Sequence, residues 1–203
     1  FILTGAGDML SFPKREIVNF MIRHVKKMVP AYALPGAVNF RDALSIGRSA
    51  GFKPVEGQSS DLAFLQYTGG TTGVAKGAEL THRNMIANVL QVSAWISQRF
   101  KEGEETVLTA LPLYHVFSLT ATMVFTHWAA EMVLITNPRN LDSLAGECVK
   151  HDVSVIIGVN TLFAALLRNP VFKRAKLKRL KLTCGGGAQV QKVVAEEWLA
   201  QTQ

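Results

Sequence analysis

Apolar residues recur three and four positions apart from Ile17 to Val29, with Ile17, Val18, Met21, Ile22, Val25, Met28 and Val29 on one stripe and Arg15, Asn19, Arg23, Lys26 and Lys27 opposite. That spacing predicts a basic amphipathic helix over about residues 14 to 29, stopped by Pro30. Residues 51 to 60, GFKPVEGQSS, are rich in turn formers and predict a linker, and Leu62 to Thr68 reads as a strand. Beyond a glycine-rich loop, a short extended piece leads to a helix over His82 to Ser97. Thr81 can cap it, and Met85, Val89, Val92 and Ile96 form its buried stripe. The rest alternates: ETVLTALPL as strand, VFSLTATMVFTHW as helix, EMVLIT as strand, Leu141 to His151 as helix, VSVIIGV as strand, TLFAALLRN as helix, LKRLKLTC as strand and QKVVAEEWLAQ as helix. Such alternation predicts an α/β fold with a largely parallel sheet covered by helices.

Composition narrows this picture. At 203 residues and 48% hydrophobic, the chain can bury a real core and is not disordered; it is one domain or part of a larger one. The 22 basic against 15 acidic residues favour anionic partners such as nucleotides, CoA, nucleic acid or an acidic membrane surface. Two cysteines, Cys148 and Cys184, are too few for a disulfide framework or a zinc site, so a reducing, cytoplasmic compartment is expected. Val116 to Thr136 approaches membrane-span length, but His127 and Glu131 interrupt it, and it divides into a helix and a strand of the core. The opening FILTGAGDML has no basic segment of a signal peptide and no initiating Met, as expected of an excerpt.

The stretch YTGGTTGVAKGA places Thr68, Gly69, Gly70, Thr71, Thr72 and Gly73 in a row, followed three residues on by Lys76. Glycines let backbone N–H groups turn inward together, hydroxyls add donors, and the lysine adds a point charge, which is a means of holding phosphate. The Walker A pattern is not met, because Lys76 follows Ala75 and precedes Gly77. A dinucleotide fingerprint is not met either, since Gly185 and Gly187 are followed by Val190 where the third glycine belongs.

The whole string closely resembles the phosphate-loop signature of the adenylate-forming superfamily, which includes acyl-CoA synthetases, luciferases and peptide-synthetase adenylation domains. LPLYHVF at 111 to 117, GVNTLFAALL at 158 to 167 and LTCGGGAQV at 182 to 190 follow in the family's order, and together they look most like bacterial long-chain fatty-acid CoA ligases. The resemblance implies a ligase that uses ATP and Mg²⁺ to convert a fatty acid to its acyl-adenylate, and then transfers the acyl group to CoA. It places Thr68, Gly69, Gly70, Thr71, Thr72 and Gly73 around the phosphates, with Thr68 also near Mg²⁺, and makes Lys76 the loop lysine. His115 falls beside the acyl carboxylate and the mouth of the CoA channel. Gly185, Gly186, Gly187, Ala188 and Gln189 pass beside the adenine and acyl carbonyl, and residues 160 to 167 match a helix along the acyl tunnel. Those apolar positions suit a core equally well.

WAAEM stands where the family has a glycine turn, leaving open how the chain turns at Ala129 and Ala130. The family's later motifs and its C-terminal domain are absent, so residues 1–203 are expected to be a central piece of the N-terminal domain, inactive alone. Within it, residues 1–60 form the helix and linker, and 61–203 the phosphate loop and α/β region. Two other readings compete: a ligase for another carboxylic acid, and a non-catalytic nucleotide-binding or membrane-associated module. The basic helix reads first as a surface helix with a solvated basic face, and alternatively as a peripheral contact with an acidic membrane face. Nucleic acid is not expected as a partner, because KRAKLKRLK at 173 to 181 runs into a strand and has no interleaved aromatics.

Overall fold

The computed structural model describes residues 1–68 and 75–202, the side chain of Thr68 excepted. The chain divides into two compact units, Phe1–Glu56 and Gly57–Gln203, with the break inside the turn-rich linker.

In the first unit, β1 (Ile2–Leu3) pairs in parallel with β2 (Val38–Asn39). The basic helix is shorter than its apolar stripe suggests: α1 (Lys14–Phe20) continues through one π turn at Met21–Val25 and stops. Lys27 takes a left-handed backbone, φ 49°, which ends the helix before Pro30 can. The stripe is not buried within the described residues, with Ile17, Val25 and Met28 all more than half exposed. A second helix, α2 (Phe40–Ala50), follows β2 directly and ends at Gly51, φ 72°.

The second unit opens with an antiparallel hairpin of β3 (Leu62–Thr68) and β4 (Lys76–Thr81). The glycine loop therefore joins two strands of a hairpin. α3 (His82–Ile96) starts at once, because Thr81 and Asn84 form a reciprocal cap: the Thr81 hydroxyl accepts from the Asn84 N–H at 3.3 Å, and the Asn84 amide oxygen accepts from the Thr81 N–H at 3.0 Å.

The expected parallel sheet is built from β5 (Thr106–Thr109), β6 (Glu131–Leu134), β7 (Val155–Gly158) and β8 (Leu182–Gly185), in spatial order β6-β5-β7-β8. Successive side chains of β5 and β7 alternate between two cores, as a doubly covered sheet requires. Leu108 and Ile156 enter one core with residues of α5 (Leu141–Lys150), α6 (Asn160–Arg168), α7 (Pro170–Arg174) and α8 (Lys192–Thr202). Val107, Val155 and Ile157 enter the other, with residues of α3 and α4 (Val116–His127). Cys148 lies wholly buried in the first core, where burial pushes its thiol up to about 12; both cysteines are free. Val116 to Thr136 is α4 plus β6, and among the described residues no helix is long and apolar enough to cross a membrane. After α4, Ala129 adopts φ 51°, so the alanine takes the left-handed turn that glycine makes more cheaply.

Candidate functional site

β5 leads sideways to β6, and β7 then pairs on the other side of β5, so the strand order reverses between β5 and β7. In open α/β sheets, ligands sit in the crevice outside the carboxyl ends of the strands at such a reversal. The segments that leave those ends here are residues 110–115 after β5, 159 after β7 and 186–191 after β8, and they carry His115 and the glycine cluster. α4, α6 and α8 begin at this edge, and their first-turn amides favour anions.

The turn bearing His115 is fixed locally. The His115 N–H bonds the Pro112 carbonyl at 3.0 Å, and the buried Ser118 hydroxyl donates to the Leu111 carbonyl at 3.2 Å. His115 is the N-cap of α4, and its Nδ1 accepts from the Phe117 N–H at 3.3 Å. A neutral imidazole accepting at Nδ1 carries its proton on Nε2, so the exposed edge of the ring is a donor.

Phe117 joins this turn to the glycines. A Cβ placed on Gly186 would meet the Phe117 ring at 2.7 Å, so the absence of a side chain there is what lets the aromatic ring lie against the backbone. Val190 packs in the same way on Gly185, and Gly187 has φ +77°, a conformation that favours glycine. The close neighbours at Gly185 and Gly186 are protein side chains. Ala188 and Gln189 are exposed at the edge, and their loop is tied back by the Gln191 N–H donating to the Asn160 side-chain oxygen at 2.9 Å. Phe117 and Asn160 are thus positioning residues that periodicity alone does not single out. The only hint in the sequence is that each sits next to a helix start.

Lys76 is carried by a different element. It is exposed, opens β4 and lies opposite Thr68 across the hairpin, which packs on α3; α3 in turn packs on α4. Gly69, Gly70, Thr71, Thr72 and Gly73 lie outside the described residues.

Two cavities flank the 110–117 segment. One of about 420 Å³ is almost wholly apolar and lies between α3, α4 and the sheet; its walls include Val92, Trp95, Phe117, Ala121, Phe125 and Cys184. The other, of about 450 Å³, lies on the α6 side of the sheet between Leu111, Pro112, Arg139, Val159 and Thr161. On the apolar face of α6, Phe163, Leu166 and Leu167 are buried in the core, and Leu162 reaches both the core and the second cavity. Burial also raises the Cys184 thiol at the wall of the apolar cavity.

Comparison with known proteins finds relatives in sequence and in fold. A long-chain-fatty-acid–CoA ligase of Escherichia coli O6:H1 is 50% identical over 202 residues, which is 99% of this chain and 36% of that protein. Apo MatB from Rhodopseudomonas palustris superposes with a TM-score of 0.62 at 28% identity, covering 75% of this chain and 29% of that one. The N-terminal domain of FACL13 from Mycobacterium tuberculosis, in an inhibitor-bound crystal structure, has the same fold. Its TM-score is 0.68 at 22% identity, over 87% of this chain and 45% of that one. The chain therefore spans about a third of the length of its curated relatives. Residues 8–203 match the family described as AMP-binding enzyme, and the chain belongs to that family.

Proposed function

We propose that the protein carrying this chain is a long-chain fatty-acid CoA ligase. The carboxylate of the acid attacks the α-phosphorus of ATP and the bond to pyrophosphate breaks. The thiol of CoA then gives up its proton and displaces AMP from the acyl-adenylate. The observation that carries this reading is the apolar cavity whose walls include Phe117 and Cys184, the neighbours in sequence of the His115 turn and of Gly185. An apolar tail and an anionic head are thereby offered adjoining places, and each methylene buried contributes about 0.8 kcal/mol. Small aromatic or amino acids would need polar anchors, of which the described lining of this cavity offers chiefly Asn88 and Thr120.

In this reading, Thr68 to Gly73 hold the β- and γ-phosphates through backbone amides, and Lys76 neutralises charge as pyrophosphate leaves. Mg²⁺ would arrive with the nucleotide. The Thr68 hydroxyl would be this chain's ligand to it, and the ion would neutralise phosphate charge. His115 donates from Nε2 to the acyl carboxylate, and Gly185 to Gln189 pass beside the adenylate.

Turnover of acetate, octanoate, laurate, palmitate and oleate by the full-length protein tests the proposal. kcat/KM should rise with chain length to an optimum of about twelve to eighteen carbons, as added methylenes are buried. A maximum at acetate would refute it. In the same assays His115→Ala should weaken use of acid and CoA and spare ATP; loss of ATP affinity alone would contradict the placement of His115.

A cytoplasmic enzyme touching an acidic bilayer also fits the first unit, where exposed Phe20, Val25 and Met28 accompany Arg23, Lys26 and Lys27. Flotation with vesicles containing anionic lipid should exceed flotation with neutral vesicles. Equal recovery would remove the membrane from the account.

A further inference from the structure

The apolar cavity does not end in the core. Trp95, Ile96 and Leu182 line it and also line a neighbouring chamber of about 520 Å³, whose other walls are Ala94, Gln98, Arg99 and Phe100. Along α3 the first cavity reaches from Asn88 to Ile96, about 12 Å at 1.5 Å per residue, which is shorter than an extended long-chain acid. Of the two α3 residues in the shared wall, Ile96 is buried, whereas Trp95 is 79% exposed, a large indole left uncovered beside an apolar cavity. Burying such a ring is among the larger apolar gains a single side chain offers. The second chamber beyond it carries a guanidinium and an amide, which give methylenes little in return.

We propose that Trp95 is the chain-length-reading residue of the site, its exposed indole covered by the distal methylenes of a long-chain acyl group and untouched by shorter ones. This rests on the acyl-activation reading above. It adds to it which side chain separates long from medium chains. Because Trp95 is mostly exposed, replacing it leaves both cores intact.

The test compares palmitate with octanoate in the full-length protein and its Trp95→Ala and Trp95→Phe variants. Trp95→Ala should raise the KM for palmitate on the order of tenfold, with the KM for octanoate within about twofold of the parent and kcat for both preserved. Trp95→Phe should restore most of the loss. If Trp95→Ala improved palmitate, the indole would be a plug, and if it changed both acids equally or neither, it would not read length; either result overturns the proposal while leaving acyl activation standing. Failure of the parent protein to use any fatty acid would instead overturn the acyl-activation reading and this inference with it.

Discussion

Replacing Lys181 by Ala should destabilise the protein by about 3 kcal/mol at pH 7, with no part of the proposed site touched. Glu105 lies at the buried start of β5, and its Oε1 accepts from Lys181 Nζ at 2.6 Å and from the Lys101 N–H at 3.3 Å. Lys181 stands just before β8, so the pair ties the amino edges of two strands. Burial pushes the Glu105 carboxyl up, but hydrogen bonds from Lys181, Ser154 and the Lys101 backbone, together with the lysine charge, outweigh it and hold the group below its ordinary 4.5. Removing one member of a buried pair leaves the other charge uncompensated, at a cost of about 3 to 5 kcal/mol; the lower end applies here because the lysine is a third exposed and water screens it. The pH dependence has a definite sign. A depressed carboxyl contributes stability above its unfolded value, and that contribution is lost as pH falls from about 4.5 through the folded value. Without Lys181 the carboxyl rises instead and takes up a proton early, so the gap between variant and parent should be widest at pH 7 and narrow on acidification. Urea titrations of both proteins at pH 7 and pH 4 measure this. A gap under 1 kcal/mol at pH 7, or one that widens in acid, would show that the pair does not hold this edge.

Lys76→Ala should lower the rate of adenylate formation about a hundredfold, since losing one preorganised positive group at a developing charge costs on the order of 3 kcal/mol. The hairpin supports the expectation structurally. Lys76 is the first residue of β4 and faces Thr68, the last of β3, so both ends of the loop are held by the strand register. The Tyr67 ring lies across the hairpin from Gly77, at ordinary contact distance, 3.4 Å, from where a Cβ would sit. The variant should keep its affinity for the acid, because the cavity proposed for the acyl chain is walled by α3, α4 and the sheet. Acid-dependent exchange of pyrophosphate into ATP reads the loss; a rate within twofold of the parent would take Lys76 out of the phosphate site.

Elements that bury one clear face were legible in the sequence. The four sheet strands, α3 with its Thr81 cap, α4, α5, α6 and α8 all fall on the segments that periodicity predicts, with β8, α6 and α8 each running one residue past an end, because each fills one of two cores. α2 is the helix that a reading of the sequence misses: Phe40, Ala43 and Leu44 share one side at helical spacing, but the side is short and none of its residues is buried, although Asn39 before it and Gly51 after it are usable end signals. LKRLKLTC reads as one strand from Leu177, yet only its end pairs. Leu177 is drawn into the core and accepts a turn bond from the Leu180 N–H at 3.2 Å, so β8 starts at Leu182. The candidate site was legible in its chemistry and not in its contacts. Nothing local in LPLYHVF announces that Phe117 will lie on Gly186, some seventy residues away, since only the parallel order of β5, β7 and β8 brings them together.

In the proposed function this chain carries the acid and nucleotide site of an acyl-activating enzyme. Exchange of labelled pyrophosphate into ATP by the full-length protein, without CoA and with a fatty acid added, tests it most directly because it isolates the first chemical step. Exchange should depend on palmitate and fall about a hundredfold in Lys76→Ala. Exchange that no fatty acid stimulates, or that only an amino acid or aromatic acid stimulates, would contradict it.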